Sequence, residues 1–551
     1  MVYQKIRHVF ATTVCLLLAG CTTLVPPQPT PLSGEVRLAS QWRTSTGSNA
    51  RTVEVFVENG TEAPLALSNL ALDGMTLPAL PPERRKKGAP PMPLWWRIAT
   101  AGDASGRDAP TARPKSGAEG ADVSWKRPYQ TLPPGGHAVI AVCFTNAPAP
   151  FELAVDANGE RRTVAVPAPD SPWRRIADVA FAPRGRSVFV KVESRGVPVK
   201  TLLLDGVETP FRTLRDGRTG RPFVLAAETR AALKPGGRLL VDVRFADGGR
   251  ALASARVLRG PVLEAQFAGK AVRKALGADA APAIRPAPFA DVGCYDLETK
   301  KTGRSASSML NRLAKKPPPP EEIPAVQFCM GCVAETWDIY GVLADAAISM
   351  PFSALRFGTP AKRLDLEEKA FLHAAGAAAP RPVLWTAQLF RHGKTAPPPD
   401  ETLAAFWTTL ALGSRGVTAF LWDGIAGYTG MATLPELRET WAAMERPLRR
   451  HRDRLFPLLA ADRFEAADGA LKVYTAWNPG RGMLVVWRAA DAAPLAAEIG
   501  FDARLPEWLT PREVRDLMRD GRERPRVSRG AVSLRAAAGA THGAFWIEAM
   551  R

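Results

Sequence analysis

The chain has 551 residues, too many for one hydrophobic core, and a scale of roughly 150 residues per domain gives three or four domains. Lys and Arg number 73 against 54 Asp and Glu, a net charge of +19, yet the basic residues are spread along the whole chain with no nucleic-acid-binding module among them, which excludes a nucleic-acid partner. No apolar run reaches the length of about 18 residues that a membrane-spanning helix requires.

Lys5, Arg7 and His8 open the chain, Val9 to Leu18 is a short apolar run, and Ala19-Gly20 precede Cys21. That is the layout of an export signal. Leu18-Ala19-Gly20-Cys21 resembles the lipobox of bacterial lipoproteins, which implies cleavage after residue 20 and a lipid on Cys21. The alternative is an ordinary secretory signal with an incidental cysteine. Thr22 follows Cys21, and in Gram-negative lipoproteins that resembles the default outer-membrane address, the face of the membrane being left open. Residues 21–33 then form a Pro-rich tether. Of the remaining cysteines, Cys143 falls in a predicted strand, and Cys329 and Cys332 are spaced to pair with each other or with Cys294. A zinc site would need four ligands, and no Cys or His partner follows at finger spacing, so neither a metal nor a cofactor is expected.

The first half reads as β-structure. Thr52 to Glu58 alternates with period two before Asn59-Gly60, and Leu65 to Leu72 ends at Asp73-Gly74. The same phrase returns at Ser187 to Glu193 before Arg195-Gly196, and at Val199 to Leu204 before Asp205-Gly206. Pro134-Gly135-Gly136 and Pro235-Gly236-Gly237 each lead into another strand. This is a duplication, and it predicts two tandem immunoglobulin-like β-sandwiches over 34–167 and 174–258. The first carries an insertion near 78–130, in which Trp95-Trp96 read as a packing element at the sandwich edge or as a binding platform.

From about 262 strands alternate with helices. Strands are predicted at 324–329, 346–352, 382–388 and 417–424, and helices at 335–343, 366–379, 400–412 and 434–461. Such units imply a parallel sheet, here a β/α barrel over 262–460. Residues 262–291 have room for one strand and one helix, so the barrel is incomplete or degenerate. The tail, 462–551, is β again and reads as a small C-terminal sandwich.

Ala411-Leu412-Gly413-Ser414-Arg415-Gly416-Val417 through Trp422-Asp423 resembles the last helix-to-strand passage of clan A glycoside hydrolase barrels. Pro382 to Gln388 is similar to the strand before it, and Tyr295-Asp296-Leu297-Glu298 resembles the acidic phrase at the end of the fourth strand. The resemblance implies Glu298 as acid/base, Asp296 as its neighbour, Asp423 as a further carboxylate, and Trp385, Gln388 and Trp422 as sugar contacts. Glycoside cleavage generally needs two carboxylates flanking the bond. Where that family places a nucleophilic Glu this chain has Gln388, which neither attacks nor titrates. Tyr295 to Glu298 as a solvated loop, Asp423-Gly424 as a plain turn, and Trp385 and Trp422 as core are the alternatives. Two functions follow: an envelope lipoprotein whose barrel hydrolyses or binds polysaccharide, or one that binds glycan or serves structurally without turnover.

Overall fold

The structure, a computed structural model, describes residues 33–43, 51–77, 93–100, 130–144, 148–169, 174–215, 222–266, 284–292, 310, 323–328, 334–353, 358–424 and 427–550. Cys21, the tether, most of the 78–130 insertion, Asp296, Glu298, Cys294, Cys329 and Cys332 lie outside these residues.

Both predicted N-terminal domains are two-sheet β-sandwiches. In the first, the strand order is Val36–Trp42, Arg51–Asn59, His137–Phe144, Trp95–Thr100 in one sheet. The other runs Met75–Thr76, Leu65–Leu72, Phe151–Ala157, Glu160–Val166, with Gln130–Leu132 paired to Leu65–Leu72. The second sandwich repeats this order as Arg175–Phe181, Ser187–Glu193, Pro222–Glu228, Phe211–Arg215 over Val207–Glu208, Val199–Leu204, Arg238–Phe245, Arg250–Arg256. The duplicated phrase maps onto equivalent strands, and Asp73-Gly74 and Asp205-Gly206 make the same turn, all four residues at positive φ. The Pro-Gly-Gly turns do not correspond. The first precedes a strand of the sheet holding Arg51–Asn59, whereas the second precedes a strand of the opposite sheet. A glycine at positive φ suits any tight turn, so the tripeptide recurs without marking the same place in the repeat.

Six parallel strands form the central sheet: β1 Val262–Ala265, β2 Ile284–Val292, β3 Ile323–Phe328, β4 Ala346–Ser349, β5 Val383–Gln388 and β6 Gly416–Phe420. Their order is β1-β6-β5-β4-β3-β2, so the first two strands in sequence stand at opposite edges. The sheet curls. Gln266 at the end of β1 and Gln327 on β3 are separated along the ladder by three strands, yet Gln266 Nε2 donates to Gln327 Oε1 at 3.3 Å. A flat sheet would hold those strands about 19 Å apart at about 4.8 Å per strand. Among the described residues the sheet is a curled parallel one of six strands, a half-barrel.

Among the described residues, the longer helices of the same region are α1 Ala334–Tyr340, α2 Pro360–Ala378, α3 Pro399–Ala411 and α4 Pro435–Arg450. Thr359 caps α2 by accepting from Lys362 N, and Pro360 takes the first-turn position where no N–H is needed. Helix α3 opens with Asp400 and Glu401, favourable at the positive end of the dipole. It is buried nearly all round because the parallel sheet lies on one side and the C-terminal domain on the other. The predicted helical stretch 434–461 is shorter than expected: after a four-residue turn at Arg452–Leu455, Leu459–Ala466 is the edge strand of the C-terminal sheet. That sheet has six strands and faces a three-stranded sheet across a core that includes Trp477, Trp487, Phe501 and Ile547.

Where the parts meet, charge is buried. Asp345, between α1 and β4, accepts from Arg97 of the first sandwich at 2.5 Å and pairs with Arg238 of the second, with Arg256 at 3.8 Å. Burial alone would raise this carboxyl, but Arg238, Arg97 and Arg256 hold it well below the usual carboxylate range. Nearby, Glu54 pairs with both Arg43 and Arg381. Arg415 grips Asp178 through two bonds of 2.7 Å, tying the start of β6 to the second sandwich.

Candidate functional site

Residues alternate between the two faces of each parallel strand. Val383, Trp385 and Ala387 of β5, with Val417 and Ala419 of β6, pack outward against the helices. The inner face begins with an apolar floor that includes Val262, Ala325, Ile348 and Leu384. Toward the C-terminal ends it turns polar: Glu264 and Gln266 of β1, Gln327 of β3, Thr386 and Gln388 of β5, and Thr418 of β6. Thr418 is the ladder partner of both Glu264 and Thr386, which sets these three in one row. Thr386 and Thr418 share a hydrogen bond of 2.7 Å, and Gln327 Nε2 lies 2.7 Å from Met350 Sδ.

Gln388 ends β5 on this face. Its side chain is buried at 5 % exposure, and neither amide atom has a hydrogen-bond partner. Above it an aromatic group closes the mouth. Phe390 packs on Phe352 at 5.2 Å, on Phe420 at 5.4 Å and on Tyr428 at 5.0 Å between ring centres. Tyr428 is half-buried and lies 5.0 Å from the exposed ring of His392, across a two-stranded ladder. The same end of the sheet therefore carries a partly exposed aromatic pair and a buried, unsatisfied amide.

The expected residues separate on this frame. Gln388 sits at the end of its strand, on the inner face. Trp385 does not face it: the indole is 2 % exposed on the outer face and donates to Glu367 Oε2 at 2.7 Å, so it has no ring surface to offer a sugar. Burial raises the Glu367 carboxyl above its ordinary range, and the bonds from Trp385 and Ser353 work against that rise. Strand β6 ends at Phe420, so Trp422 and Asp423 lie in the bend beyond it, Trp422 half-buried and Asp423 exposed. Trp422 N donates to Gln266 O at 2.9 Å, which holds that bend over the end of β1. Trp95 and Trp96 are both buried. Trp95 donates to Ile339 O and packs toward α1, while Trp96 fills the first sandwich core.

Glu264, Gln266, Gln327 and Thr418 escaped the sequence reading. Their signal is a polar residue at every second position of otherwise apolar strands, as in Leu263-Glu264-Ala265-Gln266. A parallel strand buried on both faces by hydrocarbon would lack that alternation. Glu264 is a carboxylate on the inner face of the sheet, and among the described residues no group of three His, Cys, Asp or Glu is placed to hold a metal ion. No helix among the described residues is long and apolar enough to cross a membrane.

No family model matches the sequence, and no curated protein matches it. Among solved structures, the chain is similar to the GH36 alpha-galactosidase AgaA of Geobacillus stearothermophilus in complex with raffinose, at 8% identity and a TM-score of 0.33 over 94% of this chain and 88% of that one. A Bacteroides fragilis protein described as a candidate alpha-galactosidase aligns at 8% identity and a TM-score of 0.31, covering 69% and 97%. Alpha-galactosidase I of Mortierella vinacea aligns at 12% identity and a TM-score of 0.29, covering 45% of this chain and 64% of that one.

Proposed function

We propose that the protein is a lipid-anchored envelope protein that binds a glycan at the C-terminal end of its parallel sheet, without hydrolysing it through a carboxylate pair. The observation that carries this reading is Gln388, a buried amide with both polar atoms unpaired at the sheet end that also carries the half-buried Tyr428 and the exposed His392 ring. An amide both donates and accepts, which matches a sugar hydroxyl, and ring faces suit sugar C–H surfaces. Tyr428, His392 and Trp422 supply the accessible contacts, and Gln388 is the polar anchor once Phe390 and Phe420 yield. The reading leaves turnover aside because Gln388, which neither attacks nor titrates, stands at the end of its strand, and Asp423 is exposed beyond the end of the neighbouring one.

Binding is tested with an array of bacterial and plant polysaccharides, followed by calorimetry on the best ligand. Binding that falls roughly tenfold or more in both Tyr428→Ala and Gln388→Met, with no release of reducing ends, supports the reading. Turnover that disappears in Glu264→Gln overturns it in favour of a hydrolase, and absence of any glycan binding leaves a structural protein. The anchor is tested separately. Cells fed an alkyne fatty acid should label the protein, and Cys21→Ala should abolish the label.

A further inference from the structure

A cavity lies at one end of the C-terminal sandwich, away from the sheet mouth. Its volume is about 280 Å³, just below the roughly 300–1,000 Å³ typical of small-molecule sites. Trp487, His542, Asp400, Asp516, Arg519 and Arg535 contribute to its wall. Two of these are buried and incompletely bonded: Trp487 at 2 % exposure has no partner for Nε1, and His542 at 8 % has none for Nε2. Gly543, the ladder partner of Trp487, also lines the space, and a Cβ there would collide with the indole nitrogen.

We propose that this cavity binds a single neutral sugar ring. Neither atom is open to solvent, so the wall must shift for a ligand to reach them; native proteins leave few buried polar atoms unpaired, and two behind one wall mark a place where a ligand completes the bonding. The charged groups balance, two carboxylates against two guanidinium groups, which favours a neutral ligand over an anion or a cation. Indole Nε1 only donates, a carboxylate only accepts and a guanidinium only donates. A ring bearing several hydroxyls is the ligand that meets all of these at once. The imidazole fits the same chemistry: its Nδ1 lies 2.9 Å from Thr541 Oγ1, and burial pushes its pKa down to about 4, so it is uncharged near neutrality. Half-buried Phe545 and the partly exposed Met518 give the ring an apolar side. The site does not depend on the sheet-end reading.

The test uses the full chain labelled with 15N. The Trp487 indole N–H resonance is assigned by its loss in Trp487→Phe, and galactose, glucose, mannose and N-acetylglucosamine are then titrated. The expected result is a saturable shift of that resonance with at least one sugar, weakened roughly tenfold in His542→Phe and unchanged in Gln388→Met. Asp400→Asn, at an exposed helix start, gives an independent variant should His542→Phe fail to fold. The proposal is overturned if no sugar moves the resonance, if the shift is the same in the wall variants, or if only a charged ligand such as a free amino acid moves it.

Discussion

A buried amide with neither atom bonded costs about 1–3 kcal/mol relative to an apolar side chain of similar length. Gln388 is such a group, so Gln388→Met should raise the urea midpoint of unfolding while it removes glycan binding. A midpoint that falls instead would show that the amide is satisfied in solution. At this scale the sequence was legible in part. Gln388 was readable because the resemblance puts a nucleophilic Glu at the end of that strand, and the amide stands in its place. The placement of Trp385 was not, because choosing the inward set requires knowing which parity of β5 faces the helices, and that is decided by Glu367, 18 residues earlier on α2. Glu264 escaped because its strand has only four residues, too few for alternation to stand out.

Among the elements, β6 depends on one glycine. Gly416 has φ +148, and a Cβ there would run into the Val262 backbone, the partner that starts the β1–β6 ladder. Gly416→Ala should therefore detach β1 from the sheet, seen as faster amide exchange at Val262 to Ala265 with the C-terminal sandwich unaffected. Strands and helices were mostly legible, since period-two and period-3.6 patterns report one face of an element buried against another. The ends were not: Trp422 and Asp423 read as strand, yet β6 stops at Phe420 because the backbone N–H of Trp422 turns to bond Gln266 O. The Pro-Gly-Gly pairing misled for a related reason, since turn chemistry is local and carries no information about which sheet follows.

For the whole molecule, the ionic seam holds the parts in register. Asp345→Asn would leave Arg97, Arg238 and Arg256 buried without their shared anion, and removing one partner of a buried pair costs about 3–5 kcal/mol. The expected outcome is separate unfolding transitions where the wild type shows one, measured by calorimetry. Acid should act at the neighbouring junction. Burial, with Arg238 adding to it, pushes His137 down to about 3, and burial pushes His542 to about 4, both from an ordinary 6.5. As pH falls below about 6.5 the unfolded chain takes up protons that the folded one refuses, so stability drops toward pH 4. Burial raises Asp205 from 3.8 to about 6, which works the other way between those values and offsets part of the loss. Urea midpoints at pH 7.5, 5.5 and 4.5 should fall in that order, with a flatter decline in His542→Phe. None of this seam was legible in the sequence, because its members come from four distant stretches and each alone reads as an ordinary surface arginine or acid.

The seam also sets a timetable. Arg97 and Arg238 are both synthesised before Asp345, Arg238 by 107 residues, which at about 5–20 residues per second is roughly 5–20 s. For that interval both sandwiches exist with cationic faces that have no anion to close on. The carboxylate that arrives last is the latch, so Arg97 and Arg238 must stay solvated until the central sheet has emerged, even where Phe56, Val139, Leu240 and Leu252 already bring the two N-terminal domains together.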